Sequence, residues 1–169
     1  QLAGALVHEE CRITSGFGLG IGSAVINGAL DVIYSEKYRH IDEHLCLRPF
    51  PQNITDSTMR IERWRQYRES IMDETGISIY MFGNKKDDAT GSMVIANGCI
   101  QEYEIAKAHN HIIIPIGSTG GAAKAIYDDV KSNIGNYPYL VDCIDQLGKE
   151  TDINNIVSIV VNIVKNQTK

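Results

Sequence analysis

The chain has 169 residues, 43% of them hydrophobic and 22% charged, enough length and apolar material for one packed domain without disulfide or metal staples. A formal charge of −5 argues against a surface built to hold nucleic-acid phosphates, and the lack of a long unbroken apolar run argues against a membrane span. A small anionic ligand stays open, because backbone N–H groups and two or three basic side chains can receive one locally.

Leu2, Ala3, Leu6 and Val7 recur at helical spacing, and Cys11-Arg12-Ile13-Thr14 comes next as a short buried strand. Ser15-Gly16-Phe17-Gly18-Leu19-Gly20-Ile21-Gly22 is a glycine loop, and the small residues of Ser23 to Leu30 suit a helix packed closely on a sheet. Leu45-Cys46-Leu47 reads as a second short strand. Arg48-Pro49-Phe50-Pro51 ends it, since proline has no ladder donor and restricts the residue before it. After a loop to Thr58, Met59 to Glu74 is a polar amphipathic helix carrying Trp64, Tyr67 and Ile71, stopped by Gly76.

Ile77 to Phe82 opens a second unit as a strand running into Gly83-Asn84-Lys85-Lys86-Asp87-Asp88, with a long polar loop to Gly98. Cys99 to Ala108 is helical and His111 to Ile116 is a strongly apolar strand; Gly117-Ser118-Thr119-Gly120-Gly121 then turns into a helix from Ala122 to Val130. Pro138 to Gly148 and Ile153 to Val164 read as two further helices, although the density of Ile and Val in the latter keeps a buried strand in competition. Strands alternating with helices predict the α/β class, a Rossmann-like, doubly wound, mostly parallel sheet flanked by helices, as one domain over 1–169.

In a parallel sheet every strand ends on the same edge, and ligands bind there beside helix N-termini. Three segments meet that condition: Ser15 to Gly22, Gly83 to Lys86 and Gly117 to Gly121. Glycines admit a phosphate close to the backbone, and N–H groups at a helix start favour its charge. The first run is not a dinucleotide fingerprint, and no Walker lysine follows either glycine loop. Tight helix packing is the competing explanation of its glycines.

Thr14-Ser15-Gly16-Phe17-Gly18-Leu19-Gly20, taken with Arg48-Pro49-Phe50-Pro51, Phe82-Gly83-Asn84-Lys85 and Ile114-Pro115-Ile116-Gly117-Ser118-Thr119-Gly120, resembles a SLOG domain. More closely it resembles the Sir2- and TIR-associated SLOG family. The resemblance implies a Rossmann-like sensor that receives a cyclic ADP-ribose isomer made by a TIR-domain protein in Thoeris-type antiphage defence, and that controls a tethered sirtuin-like NADase. The domain itself would be a regulator and not an enzyme, with no cofactor besides the signalling ligand and no nucleic-acid or membrane partner, in a homo-oligomer. The NADase would precede Gln1, and the family's first strand is missing or lies just before this chain, which is therefore expected to be a fragment. The ligand-binding set implied is Ser15, Gly16, Phe17, Gly18, Leu19, Gly20, Arg48, Arg68, Gly83, Asn84, Lys85, Glu102, Gly117, Ser118, Thr119 and Gly120, with no catalytic or metal-binding residue.

Within that set the resemblance implies that Arg68 and Lys85 meet a pyrophosphate while Glu102, with Glu104 in reserve, accepts hydrogen bonds from a ribose or the adenine amino group. Each has a plainer reading. Arg68 lies among Arg60, Arg63 and Arg65 on a polar helix, Arg48 can cap a strand end, and both glutamates sit in a first helical turn, where carboxylates favour the dipole. Cys11, Cys46, Cys99 and Cys143 lie far apart without a CxxC, so reduced, mostly buried thiols and a cytoplasmic setting are expected. None of the five histidines has metal-ligand spacing with a partner.

The enzyme alternative is a LOG-like nucleoside monophosphate phosphoribohydrolase, whose PGGxGTxxE motif carries a catalytic glutamate. Here Pro115 to Lys124 contains no matching acid, and Asp128 and Asp129 lie too far along the helix to replace it. A structural oligomerisation domain, its glycines serving only turns and packing, is the third reading.

Overall fold

Ala3, Leu6 and Val7 are buried along one side of the first helix, α1 (Leu2–His8), because residues three and four apart share a helix face. The computed structural model describes residues 1–18, 21–38, 40–87 and 89–168. Its contacts divide the chain into two units, Gln1–Glu74 and Thr75–Lys169.

In the first unit α1 leads to β1 (Ile13–Ser15), α2 (Gly22–Ser35), a single turn α3 (Ile41–His44), β2 (Leu45–Leu47) and α4 (Ser57–Asp73). β1 and β2 pair in parallel, with Ile13 opposite Leu45 and Ser15 opposite Leu47, so β1, α2 and β2 form a βαβ crossover. Ala3, Val7, Ala29, Ile33 and Leu45 are its core, with Ile13, Val25, Ile26 and Leu30 packed around them. A Cβ at Gly4 would lie 2.9 Å from the Gly28 carbonyl oxygen; glycine brings α1 and α2 to backbone contact. The Asp56 side chain caps α4 by accepting from the Met59 N–H at 2.7 Å.

In the second unit β3 (Ile77–Tyr80) pairs in parallel with β6 (Ile112–Pro115), Ile77 opposite Ile112 and Tyr80 opposite Pro115. Between them stand β4 (Asn84–Lys86), β5 (Met93–Ile95) and α5 (Asn97–Ala108); a 3-10 turn at Gly117–Thr119 leads from β6 into α6 (Gly121–Ser132). Turns at Ile134–Asn136 and Pro138–Leu140, then α7 (Ile144–Lys149) and α8 (Ile153–Gln167), complete it. Ile113, Ile114, Ile116, Ala122, Ile126, Val130, Leu140, Leu147 and Val160 are buried. The α/β class is as read from the sequence: each parallel pair is joined through helix, and ladders among the described residues are two parallel and one antiparallel.

Two local expectations change, and one competition is resolved in favour of the reading kept. The polar stretch to Gly98 contains an antiparallel hairpin, β4 with β5, in which Lys85 lies opposite Val94. Its turn is organised by Asp87, whose Oδ1 accepts from the N–H groups of Ala89 and Thr90 and from the Thr90 hydroxyl. Pro138 to Gly148 is not one helix: Pro138 starts a 3-10 turn, and Cys143, at φ −128°, interrupts the backbone before α7. Leu140, Ile144 and Leu147 keep helical spacing across the break and are all buried, which is why the sequence reads as continuous. In α8 the helix prevails over the strand. Asp152 caps it through the N–H groups of Asn154 and Asn155, and Val160, Ile163 and Val164 are buried at three- and four-residue spacing.

Candidate functional site

In the first unit the glycine loop leaves β1 at Ser15, whose carbonyl accepts from the Arg48 N–H at 2.8 Å and so extends the β1–β2 pairing by one step. Phe50 is the centre of an aromatic cluster beside this loop. It meets Tyr67 edge-on at 5.3 Å and Trp64 at 5.9 Å between ring centroids, and a Cβ at Gly16 would lie 2.9 Å from its ring. The Trp64 indole N–H donates to the Pro51 carbonyl at 2.9 Å. The Arg68 guanidinium stands 5.0 Å from the Phe50 centroid and 6.0 Å from that of Trp64. Arg68 is only 8% exposed, so it is not part of a solvated arginine face.

Arg48 is held from several sides. Its Nη1 lies 2.6 Å from both Glu74 carboxylate oxygens, its Nη2 donates to the Ser70 hydroxyl at 2.9 Å, and Tyr67 lies beneath at 5.4 Å. The hydrogen bond to Glu74 raises its already high pKa further. Phe17 adopts φ +52° with its ring turned to solvent, its N–H donating to the Ser15 hydroxyl at 3.2 Å. Ser15, Gly16, Arg48 and Arg68 are thus gathered around Phe50. Leu19 and Gly20 lie outside the described residues.

In the second unit the loops after β3 and β6 are tied to each other. The Phe82 N–H donates to the Thr119 hydroxyl oxygen at 2.8 Å, and that hydroxyl donates to the Ile116 carbonyl at 2.7 Å. The Ala123 N–H bonds the Phe82 carbonyl at 2.9 Å and the Ala122 N–H the Gly83 carbonyl at 3.3 Å. Two of the first amides of α6, which the sequence offers to a phosphate, are therefore already bonded to the neighbouring loop. Gly121, at φ +61°, has no room for a Cβ, which would sit 2.6 Å from the Phe82 carbonyl oxygen and from Asn84 Oδ1. Gly117 has a packing reason as well, since a Cβ there would strike the Tyr127 ring. The Ser118 hydroxyl is buried and makes no hydrogen bond among the described residues. That is the kind of orphan a ligand or water satisfies.

Lys85 is exposed on β4 directly after Gly83 and Asn84, and Glu102 is half-buried on α5. Glu104 is paired with Lys107 at 2.9 Å. Burial pushes the Tyr80 hydroxyl at the end of β3 well above the usual tyrosine range; the Ser78 hydroxyl opposes this, and the Glu102, Cys99 and Glu104 side chains add to it. The Cys99 Sγ would lie 3.3 Å from a Cβ built on Gly83, so the start of α5 also packs on this loop. Gly83, Asn84, Thr119 and Gly120 are thereby joined around one turn, with Lys85 leaving it on β4. The ligand-binding set expected from the sequence contains none of Phe82, Tyr80, Phe50, Trp64 and Tyr67, although Phe50 and Phe82 stand within the motifs that carry the resemblance.

Among the described residues no group of His, Cys, Asp and Glu could hold a metal ion, and no helix is long and apolar enough to cross a membrane. None of the four cysteines is in a disulfide, and all four are half-buried.

The model of the Sir2- and TIR-associating SLOG family matches residues 1–167. The chain is 40% identical over 136 residues to the NAD(+) hydrolase ThsA of Cytobacillus dafuensis, covering 80% of this chain and 27% of that protein. It is 37% identical over 161 residues to the protein of the same name from Acinetobacter baumannii, covering 90% and 33%, and 39% identical over 137 residues to that of Enterococcus faecium, covering 81% and 27%. The chain spans a third or less of the length of these relatives.

Proposed function

Because the chain belongs to the Sir2- and TIR-associating SLOG family, we propose that it is the ligand-receiving, regulatory part of an NAD(+)-hydrolysing antiphage protein. It binds a cyclic ADP-ribose isomer made by a TIR-domain protein and performs no chemistry itself. The names of its relatives support the first half of this reading: they are NAD(+) hydrolases, and the chain matches about a third or less of each. The tethered partner would be a sirtuin-like NADase elsewhere in the full protein, acting in a cytoplasmic homo-oligomer.

The observation that carries the ligand reading is the turn in the second unit. There the loops after two parallel strands are bonded together through Thr119, the backbone is open at Gly120, and the Ser118 hydroxyl is buried without a partner among the described residues. Lys85 supplies positive charge beside it for a pyrophosphate; in the first unit Arg68 is the residue that the family resemblance assigns to the same group. Glu102 would accept from a ribose hydroxyl or the adenine amino group. Pro115 to Lys124 contains no acidic residue, so the helix start offers no general acid where the hydrolase alternative requires one.

Calorimetric titration with several cyclic ADP-ribose isomers, NAD and ADP-ribose tests the proposal. One cyclic isomer should bind more tightly than NAD or ADP-ribose, with none of them consumed. Absence of binding by every isomer, or sustained release of base from a nucleoside monophosphate, overturns it.

A further inference from the structure

Among the described residues five that are not glycine hold a positive φ, and they divide by position. Glu10, Lys37 and Asn110 are polar and each stands just past the C-cap of a helix, α1, α2 and α5. Left-handed residues are routine there. Phe17 at φ +52° and Phe82 at φ +58° are different: each comes after a parallel strand, β1 or β3, and each carries a bulky aromatic side chain for which this backbone is unfavourable.

Strain of this kind persists only where the surroundings enforce it. At Phe82 they do. Its N–H is held by Thr119, its carbonyl by the Ala123 N–H, and the next carbonyl, of Gly83, by the N–H groups of Ala96 and Ala122. Burial of the ring does not explain the cost, because Phe82 is 46% exposed and Phe17 52%. Glycine would adopt the same backbone without strain. Both rings are therefore presented outward by loops that would accept glycine more easily.

We propose that Phe82 is an aromatic platform on which the planar base of the nucleotide ligand stacks, with Phe17 presented in the same way in its own unit. The inference rests on the proposed function, in which these loops receive a nucleotide, and it adds how the base is held. Stacking uses a π-face, needs no hydrogen bond from the protein, and is worth enough per base to matter. The loop geometry then has a purpose: it fixes the ring at the strand end before the ligand arrives, so that little ordering is left to do on binding.

The test compares Phe82→Gly, Phe82→Leu and Phe82→Tyr with the parent chain, titrating the cyclic ADP-ribose isomer that the parent binds and, as a probe without a base, inorganic pyrophosphate. Phe82→Gly should melt within a few degrees of the parent or above it, because strain is relieved, yet bind the isomer about five- to 150-fold more weakly. Phe82→Leu, which keeps bulk but loses the π-face, should weaken binding as well, while Phe82→Tyr should restore it. Affinity for pyrophosphate should be the same in all. Isomer affinities unchanged in Phe82→Gly and Phe82→Leu overturn the inference and leave the ligand reading intact. The same holds for equal losses with pyrophosphate, or for an altered sedimentation coefficient at unchanged affinity, which would make the ring an interface between copies. A parent chain that binds no isomer overturns both.

Discussion

A single hydroxyl at Thr119 joins two loops, its oxygen accepting from the Phe82 N–H while its proton goes to the Ile116 carbonyl. Thr119→Val keeps the shape and removes both bonds, so it should destabilise the chain by about 1–3 kcal/mol, read as a lower urea midpoint; Thr119→Ser should recover most of it. Two basic residues separate in a different way. Lys85→Ala and Arg68→Ala should each weaken ligand binding by roughly 1.5–3 kcal/mol. Only Arg68→Ala should also lower the melting temperature, because Lys85 is exposed whereas Arg68 is buried over Phe50 and Trp64. Glu102→Gln should weaken binding with stability nearly unchanged. Equal affinity in all three variants, by calorimetry, would remove them from the site. Lys85 was legible in the sequence, since a lysine just after a strand and a glycine has one obvious place to be. The burial of Arg68 was not: Arg60, Arg63, Arg65 and Arg68 look alike along the helix, and what singles out the last is Phe50, which arrives from another segment. The left-handed backbone of Phe82 leaves no local mark either, because it is imposed by bonds from Thr119 and Ala123, about forty residues away.

Elements whose signal is local came through well. β2 falls on Leu45–Leu47 as read, α4 and α6 differ from expectation by a residue or two at their ends, and the glycine turns stand between strand and helix. The hairpin was missed because β4 is Asn-Lys-Lys, fully exposed and without an apolar face to set a period of two. Its stability instead depends on Asp87, whose carboxyl is held below the ordinary aspartate range, first by the Thr90 N–H, then by the Thr90 hydroxyl, with Ala89 and Lys85 adding to it. A carboxylate with a lowered folded-state pKa contributes stability that is complete above the unfolded value and is lost as pH falls through the folded one. Acidification below the ordinary aspartate range should therefore open the hairpin, seen as faster exchange of the Asp87 N–H, which bonds the Ser92 carbonyl. An Asp87→Ala chain should show fast exchange at every pH. If the parent's exchange does not respond to acid beyond its chemical rate, the turn is held by something else.

For the whole chain, a ligand that binds only the folded state at a hundredfold excess over its Kd should add about 2.7 kcal/mol to stability. No shift in melting temperature at millimolar concentrations of any cyclic isomer would count against the sensor reading. The chain also carries its own means of tracking how it comes apart. Cys11 and Cys46 belong to the unit Gln1–Glu74, Cys99 and Cys143 to Thr75–Lys169, and all four are outside any disulfide and half-buried. Burial, aided by Glu9 and Asp142 respectively, pushes the Cys11 and Cys143 thiols upward, so in the folded state these two are poor nucleophiles. A thiol reagent added during slow denaturation thus becomes a counter, with one of these slow thiols reporting each unit. Mass spectra that gain the Cys11 and Cys143 labels together mark cooperative unfolding of the whole chain, whereas a population labelled at one and not the other marks a unit that opens by itself.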